Sequence, residues 1–256
     1  MESGTAERIT ILGVPVDVTT FAGMLAAIAR WIARGDRVYQ ICTVSPEFVM
    51  IAQDDAEFLR VLQDADLCVA DGAGLLLAAR YLGRALPERV TGSDGVPLIA
   101  QRAAHEGWKL FLLGAAPGVA EQASAKLQAQ NPGLHIAGTY AGSPAPEEAD
   151  AIIERVNRSG ADILLVAYGA PHQDVWIARY RARLSVRVAM GVGGTFDFIA
   201  GVIPRAPEWM RRSGLEWLYR LYRQPWRWRR MLRLPRFVWA VLRHRDRPLR
   251  RDSEGA

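Results

Sequence analysis

The chain contains few cysteines, and this argues against some classes of protein. Only two cysteines, Cys42 and Cys68, occur among the 256 residues, and each lies inside an apolar run. This usage indicates buried free thiols in a reducing compartment rather than a disulfide framework. The four histidines are scattered, without the Cys/His spacing of a zinc site. We therefore expect neither a disulfide-rich secreted domain nor a zinc-binding module.

Uninterrupted apolar runs are short as well. The longest candidate, residues 186–203, is broken by Arg187, Asp197 and several glycines. No run approaches the roughly 18 apolar residues that mark a transmembrane helix. The first eight residues contain two glutamates and no apolar segment, so we do not expect a signal peptide there.

The common nucleotide-binding and hydrolase motifs are missing too. No G-x-G-x-x-G follows the first strand, and neither a G-x-x-x-x-G-K-[ST] loop nor a G-x-S-x-G elbow occurs. The segment Asp64-Ala65-Asp66 has the D-x-D spacing of a common divalent-metal motif. Because it precedes its strand, we interpret it as a solvated pair at a helix end and expect no metal site.

Predicted strands and helices alternate along residues 1–204. About six short apolar runs are each followed by a helical pattern, which predicts an α/β fold with a mostly parallel sheet and helices on both faces. The spacing predicts one helix over residues 48–63, and another that Ser93 or Asp94 caps. Polar and glycine residues follow five of the strands, as expected where ligands bind at the carboxyl edge of such a sheet.

Asp71 is the residue around which this edge is organised. An apolar strand ends at Ala70 and a helical pattern begins near Leu75, so Asp71 lies where strand gives way to helix. Gly72 and Gly74 allow another group to approach the backbone closely. Two roles remain open and can coexist, namely a catalytic base and a helix N-cap.

Residues 205–256 differ in composition from the rest, and we place a boundary there between a core and an appendage. Residues 1–204 hold 17 Lys+Arg and 22 Asp+Glu, whereas residues 205–256 hold 15 and 5. Five of the eight tryptophans lie between Trp209 and Trp239, alternating with arginine at helical spacing. This pattern favours basic amphipathic helices on an anionic membrane surface. A basic helix packed on the core is the plainer alternative, and the aromatic density disfavours a nucleic-acid patch.

Several ordered motifs resemble the WecG/TagA/CpsF glycosyltransferases (glycosyltransferase family 26). The resemblance runs from about Ile11 to Leu232. The motifs that carry it, in chain order, are Thr43-Val44-Ser45-Pro46-Glu47, Ala70-Asp71-Gly72, Glu88-Arg89-Val90-Thr91-Gly92-Ser93-Asp94, Phe111-Leu112-Leu113-Gly114, Gly169-Ala170-Pro171-His172-Gln173-Asp174, Gly191-Val192-Gly193-Gly194-Thr195-Phe196-Asp197-Phe198, Arg205-Ala206-Pro207-Glu208-Trp209 and Gly214-Leu215-Glu216-Trp217.

The resemblance implies a Rossmann-like core with a C-terminal appendage that meets the membrane and completes the site. It implies inverting, metal-independent transfer of a sugar from a UDP donor to an undecaprenyl-pyrophosphate-linked acceptor, with no cofactor. N-acetylmannosamine is the default sugar, with glucose and N-acetylmannosaminuronic acid as alternatives. The enzyme would be peripheral on the inner face of a bacterial plasma membrane. A non-catalytic membrane-bound nucleotide-binding module is the alternative function, and homo-oligomerisation stays open.

The resemblance also implies roles for individual residues. Asp71 corresponds to the proposed general base and Thr43 to a polar neighbour in the pocket. The residues implied in donor binding are Ser45, Arg89, Gly114, Gln173, Gly193 and Asp197. Those implied in contacting the diphosphate or the acceptor are Arg220, Arg227 and Arg230.

Three departures from the family pattern bear on specificity. Ser45 stands where many members have Asn, which leaves the identity of the donor sugar open. His172 and Asp174 replace Lys and Glu, and Gln224 replaces a Glu.

Overall fold

A computed structural model describes residues 7–212, 214–223, 225 and 228–243. A six-stranded sheet forms the centre, with strand order β4-β3-β8-β7-β5-β6 and parallel pairing throughout. Its strands are β3 (Tyr39–Val44), β4 (Leu67–Ala70), β5 (Lys109–Gly114), β6 (His135–Tyr140), β7 (Ile163–Ala167) and β8 (Val188–Gly191).

The helices cover both faces of this sheet. They are α1 (Phe21–Arg34), α2 (Pro46–Asp54), α3 (Ala56–Gln63), α4 (Ala73–Tyr81), α5 (Gly92–Glu106), α6 (Val119–Gln130), α7 (Ala149–Ser159), α8 (His172–Tyr180), α9 (Thr195–Ala200), α10 (Glu208–Arg212), α11 (Glu216–Arg223), α12 (Trp228–Met231) and α13 (Arg233–Arg243). Helices α1, α5, α6 and α9 pack on one face, and α2, α3, α7 and α8 on the other.

Strands β4, β7 and β8 carry no polar side chain, because both faces of the sheet are covered there. Every residue of β4, β7 and β8 is buried, as a doubly covered parallel sheet requires. Apolar side chains of β3 alternate between the two sides: Ile41 packs with the α1 and α5 side, and Val44 with the α2 side. The predicted α/β, Rossmann-like fold is confirmed.

One detail of the predicted fold is wrong. The single helix over residues 48–63 is two helices, because the Asp55 side chain accepts a hydrogen bond from Phe58 N at 2.9 Å and starts α3 there. Before the central sheet, the chain forms a separate antiparallel hairpin, β1 (Arg8–Ile11) and β2 (Val14–Asp17). Helix N-caps and hairpin turns depend on local backbone geometry that apolar periodicity does not report.

Helix α13 returns to the core and packs on α2. Its buried residues, Phe237 and Val241, join the apolar cluster on that side of the sheet. Phe237 comes close enough to α4 that a Cβ added to Gly74 would lie 3.9 Å from its ring. Across the described part of the chain, no helix combines the length and apolar character needed to cross a bilayer.

Candidate active site

Polar residues converge where β4, β3 and β8 end, side by side in the sheet. Thr43 is the penultimate residue of β3, and Asp71 directly follows β4. The loop after β8 leads into α9, and the N-terminus of α5 lies against the same edge. This is the position at which open α/β sheets bind ligands.

Asp71 points toward α5 rather than toward its own helix. Its backbone N–H donates to Val44 O at 2.6 Å, and its Oδ2 accepts from Gly92 N at 3.2 Å. The N-cap of α4 is Gly72, at φ +135°, without a side-chain cap bond. The alternative in which Asp71 caps the following helix is therefore wrong. Its half-buried carboxylate is held instead at the start of a neighbouring helix, where a partial positive charge favours an anion.

Gly92 lies where an added side chain would crowd its neighbours. A Cβ added there would lie 3.3 Å from Thr195 Oγ1, 3.4 Å from Val192 O and 3.6 Å from Thr43 Cγ2. Thr43 is itself buried and donates to Gly191 O at 3.0 Å. The backbone of α5 thus presses against both neighbouring strand ends.

Thr91, and not Ser93 or Asp94, caps α5. Thr91 Oγ1 accepts from Asp94 N at 3.1 Å, so the helix begins one residue later, at Gly92. Three candidate capping residues within four positions, Thr91, Ser93 and Asp94, made the cap ambiguous from sequence. Because α5 starts at Gly92, its first N–H groups lie directly beside Asp71.

Gln173 connects two loops of the site. It is almost fully buried, and its Oε1 accepts from Gly169 N at 3.1 Å and from Gly193 N at 2.9 Å. Gly193 has φ +54°, a conformation in which glycine is favoured. Gln173 therefore shapes the loops after β7 and β8, and its direct contact with a donor stays a prediction.

Asp174, beside Gln173, was noted from the sequence as a departure from the family pattern, but its burial was not predicted. Its carboxyl is fully buried, and burial raises its pKa to about 7. A hydrogen bond with Cys68, together with burial, raises the pKa of the neighbouring Cys42 thiol. A Cβ added to Gly191 would lie 2.5 Å from both Asp174 Oδ1 and Gln173 Nε2, so β8 lies directly against this buried pair.

The other residues implied in donor binding have local roles. Ser45 caps α2, accepting from Phe48 N at 3.3 Å. Gly114, at φ +103°, lies so near β7 that a Cβ would be 2.8 Å from Ala167 C. Asp197 is half-buried in the first turn of α9. None of these contacts tests binding of a donor.

The appendage reaches this edge through ion pairs. Arg230 donates to both oxygens of Glu47 at 2.6 and 2.9 Å, and Arg233 donates to Glu47 Oε1 at 2.9 Å. Glu47 is in the first turn of α2, two residues after Ser45. The sequence analysis did not predict this pairing. An acidic residue in the first turn of α2, together with an arginine-rich appendage, could have suggested it.

Two further arginines join the appendage and the core. Arg89 Nη1 lies 3.8 Å from Glu216 Oε2, and Arg205 Nη1 donates to Asp94 Oδ1 at 2.8 Å. Arg220 belongs to α11, but its side chain lies outside the described residues, as do Arg227 and Gln224.

Comparison with known proteins assigns this arrangement to a family. The model of the Glycosyl transferase WecG/TagA/CpsF family matches residues 9–251. The chain belongs to this family. It is therefore a glycosyltransferase, and the predicted resemblance is confirmed.

Two relatives extend the comparison to individual proteins. The N-acetylglucosaminyldiphosphoundecaprenol N-acetyl-beta-D-mannosaminyltransferase of Bacillus subtilis (strain 168) is 34% identical over 203 residues, 79% of this chain and 78% of that protein. The protein of the same name from Bacillus spizizenii is 34% identical over 204 residues, 80% of this chain and 79% of that protein.

The D-x-D segment of this glycosyltransferase lies at the opposite edge of the sheet from Asp71. Asp66 precedes β4 and pairs with Arg37 at 2.5 Å, and its second oxygen accepts from Gln40 N at 2.9 Å. It therefore joins the starts of β3 and β4. Among the described residues, no three His, Cys, Asp or Glu side chains form a group that could hold a metal ion.

Proposed function

We propose that this glycosyltransferase transfers N-acetylmannosamine from a UDP donor to N-acetylglucosamine carried on undecaprenyl diphosphate. The sugar and the acceptor are those in the names of the two Bacillus relatives. The observation that carries the chemistry is the carboxylate of Asp71, held by Gly92 N–H at the carboxyl edge of the sheet.

In the proposed reaction, an acceptor hydroxyl oxygen attacks the anomeric carbon of the donor sugar. The bond between that carbon and the UDP oxygen breaks, and UDP leaves with the electron pair. Asp71 takes the hydroxyl proton as general base. A single displacement of this kind inverts the anomeric centre, so an alpha-linked donor would yield the beta linkage in the relatives' names.

Departure of UDP places negative charge on its diphosphate, and this charge must be stabilised. Arg230 and Arg233 supply cationic groups near the carboxyl edge, and the guanidinium geometry suits a diphosphate. We propose that arginines serve this purpose without a metal ion.

The acceptor is carried by a lipid, so the enzyme must work at a bilayer surface. Trp239, Val238 and Leu242 on α13 are each more than half exposed, opposite the face that packs on α2. With Arg243, whose guanidinium lies over the Trp239 ring, they form an amphipathic surface suited to anionic lipid. We propose that the enzyme binds peripherally to the inner face of the plasma membrane.

The direct test is to incubate the enzyme with UDP-N-acetylmannosamine, UDP-glucose or UDP-N-acetylmannosaminuronic acid and a short-chain lipid-pyrophosphoryl-N-acetylglucosamine, with and without EDTA. Mass spectrometry of the products identifies the sugar. A product with N-acetylmannosamine that survives EDTA is expected. Loss of product in EDTA contradicts metal independence, and silence with every donor despite UDP binding contradicts the reaction.

The membrane proposal needs a separate test. Trp239→Ser should weaken co-sedimentation with vesicles containing anionic lipid, whereas Leu77→Ser should not, although Leu77 on α4 is 64% exposed. Equal binding by both variants would contradict a role of α13. Full activity of a chain without its appendage on the short-chain acceptor would contradict the proposal that the appendage completes the site.

A further inference from the structure

Arg205, the first residue of the appendage, is bonded to the turn that holds Asp71. Its Nη1 donates to Asp94 Oδ1 at 2.8 Å, in the first turn of α5. Both side chains are partly buried, with exposed fractions of 25% and 32%. The adjoining Ala206 is buried, so this entry to the appendage is anchored on the core.

A short series of hydrogen bonds continues from Asp94 to Asp71. The Thr91 hydroxyl donates to Asp94 Oδ2 at 2.7 Å, and the same hydroxyl oxygen accepts from Asp94 N. The next residue, Gly92, donates its N–H to Asp71 Oδ2. Arg205 therefore holds the side chain of Asp94, which in turn holds the capping hydroxyl of Thr91. Thr91 directly precedes Gly92, whose N–H contacts Asp71.

The remaining nitrogen donors of Arg205 are buried without hydrogen-bond partners among the described residues. These donors are Nε and Nη2. Enclosed donors of this kind are uncommon in folded proteins and need a specific explanation. A functional need to keep the guanidinium in this position, in addition to any stabilisation of the loop, would explain them.

We propose that Arg205 is a positioning residue that, through Asp94 and Thr91, holds the N–H of Gly92 against the carboxylate of Asp71. The start of the appendage thereby aligns the candidate base. A base works only when it lies within hydrogen-bond reach of the proton it removes, so a small displacement lowers the rate of the chemical step. This inference rests on the proposed function for the role of Asp71, but the contacts themselves do not.

The first experiment compares Arg205→Gln, Arg205→Lys and Arg236→Gln in the transfer assay. Arg205→Gln should lower kcat about tenfold to a hundredfold, while the Kd for UDP changes less than about threefold. Lysine can still reach Asp94 as a single donor, so Arg205→Lys should recover most of the rate. Arg236→Gln is the matched control, because it breaks another appendage–core ion pair, with Asp54, outside the site.

Two outcomes of that comparison would overturn the proposal. A rise in the UDP Kd that accounts for the whole rate loss would make Arg205 a ligand of the donor instead. An equal loss in Arg236→Gln would show that the effect comes from general docking of the appendage.

The second experiment repeats Arg205→Gln in an Asp71→Asn background. If Arg205 acts through Asp71, the second substitution should cause less than about a twofold further loss. A full, multiplicative loss contradicts the proposal. Long incubations with detection by mass spectrometry make the residual rate of Asp71→Asn measurable.

Hydrogen exchange separates this inference from the proposed function. Amide exchange in the segment 91–95 should be faster in Arg205→Gln than in Arg236→Gln or the unchanged protein. If the protein transfers none of the three sugars but exchange responds as expected, the proposed reaction fails and the coupling stands. Unchanged exchange in Arg205→Gln overturns the coupling whatever the activity.

Discussion

Thr43 and Asp71 come from the core, whereas Arg230 and Arg233 come from the appendage, and different forces hold the two groups. Backbone N–H and C=O groups orient the core pair at the ends of buried strands. One carboxylate, Glu47, holds both arginines, each of which is about 40% exposed. Exposed ion pairs weaken with salt, whereas contacts with buried backbone do not. The core half should therefore be rigid and the appendage half adjustable.

Replacing Asp71 tests the core half most directly. Asp71→Asn keeps the shape but removes the base, so the transfer rate should fall by about 10²- to 10⁴-fold. Binding of UDP, measured by calorimetry, should stay nearly unchanged. A rate within about tenfold of the unchanged enzyme would remove Asp71 from the role of base.

The sequence predicted the sheet well because burial on both faces leaves a strong signal. Continuous apolar runs such as 163–167 can form only covered parallel strands in a chain of this pattern, and the predicted strand count was correct. The position of Asp71 followed from the same signal. Its partner did not, because the hydrogen bond from Gly92 joins residues 21 positions apart.

The appendage was harder to predict from sequence. Its charge and aromatic content were evident, but the pairing of Arg230 with Glu47 spans 183 positions. A chain with many arginines offers many equivalent pairings, and composition does not choose among them. Only the packing of Phe237 and Val241 on α2 brings these particular groups together.

Asp174 is a core residue whose contribution to the stability of the protein should depend on pH. Its pKa is raised from 3.8 to about 7 by burial, so the folded protein keeps a proton that the unfolded chain releases. Its contribution to stability is therefore present below about pH 4 and is lost as pH rises toward 7, by a few kcal/mol at most. Asp174→Asn should remove this loss.

The measurement is urea unfolding at pH 5 and pH 8 for the unchanged protein and Asp174→Asn. The variant should gain stability relative to the unchanged protein on going to pH 8. Asp150→Asn is the control, because Asp150 is 85% exposed and its removal changes the net charge at pH 8 as Asp174→Asn does. Parallel pH responses of all three proteins would contradict a buried, protonated Asp174.

The two glycines of the first turn of α5 sharpen the comparison within the core. Gly92→Ala should lower kcat about tenfold, because its Cβ would press on Thr195 and on Val192 O and displace the N–H from Asp71. Gly95→Ala meets side-chain atoms alone, the flexible end of Met24 at 3.4 Å, Phe21 at 3.7 Å and Met190 at 4.0 Å, and should leave kcat unchanged. Equal rates for the two variants would show that the contact between Gly92 and Asp71 does not matter.

Glu47 and Asp54 offer the finest test, because both pair α2 with appendage arginines. Glu47 is 15% exposed and binds two arginines, whereas Asp54 is 60% exposed and pairs with Arg236 alone among the described residues. The better shielded carboxylate should contribute more to docking. Glu47→Gln should therefore speed tryptic cleavage after the appendage arginines about tenfold, and Asp54→Asn less than about twofold.

The salt dependence of tryptic cleavage provides a second test of these ion pairs. Added salt should bring cleavage of the unchanged protein toward that of Glu47→Gln, because both weaken the same ion pairs. Cleavage of Glu47→Gln should respond less to salt, since its main contact is already lost. If cleavage in both variants matches that of the unchanged protein at every salt concentration, the apolar packing of α13 alone holds the appendage. The contrast between a rigid core half and an adjustable appendage half would then be wrong.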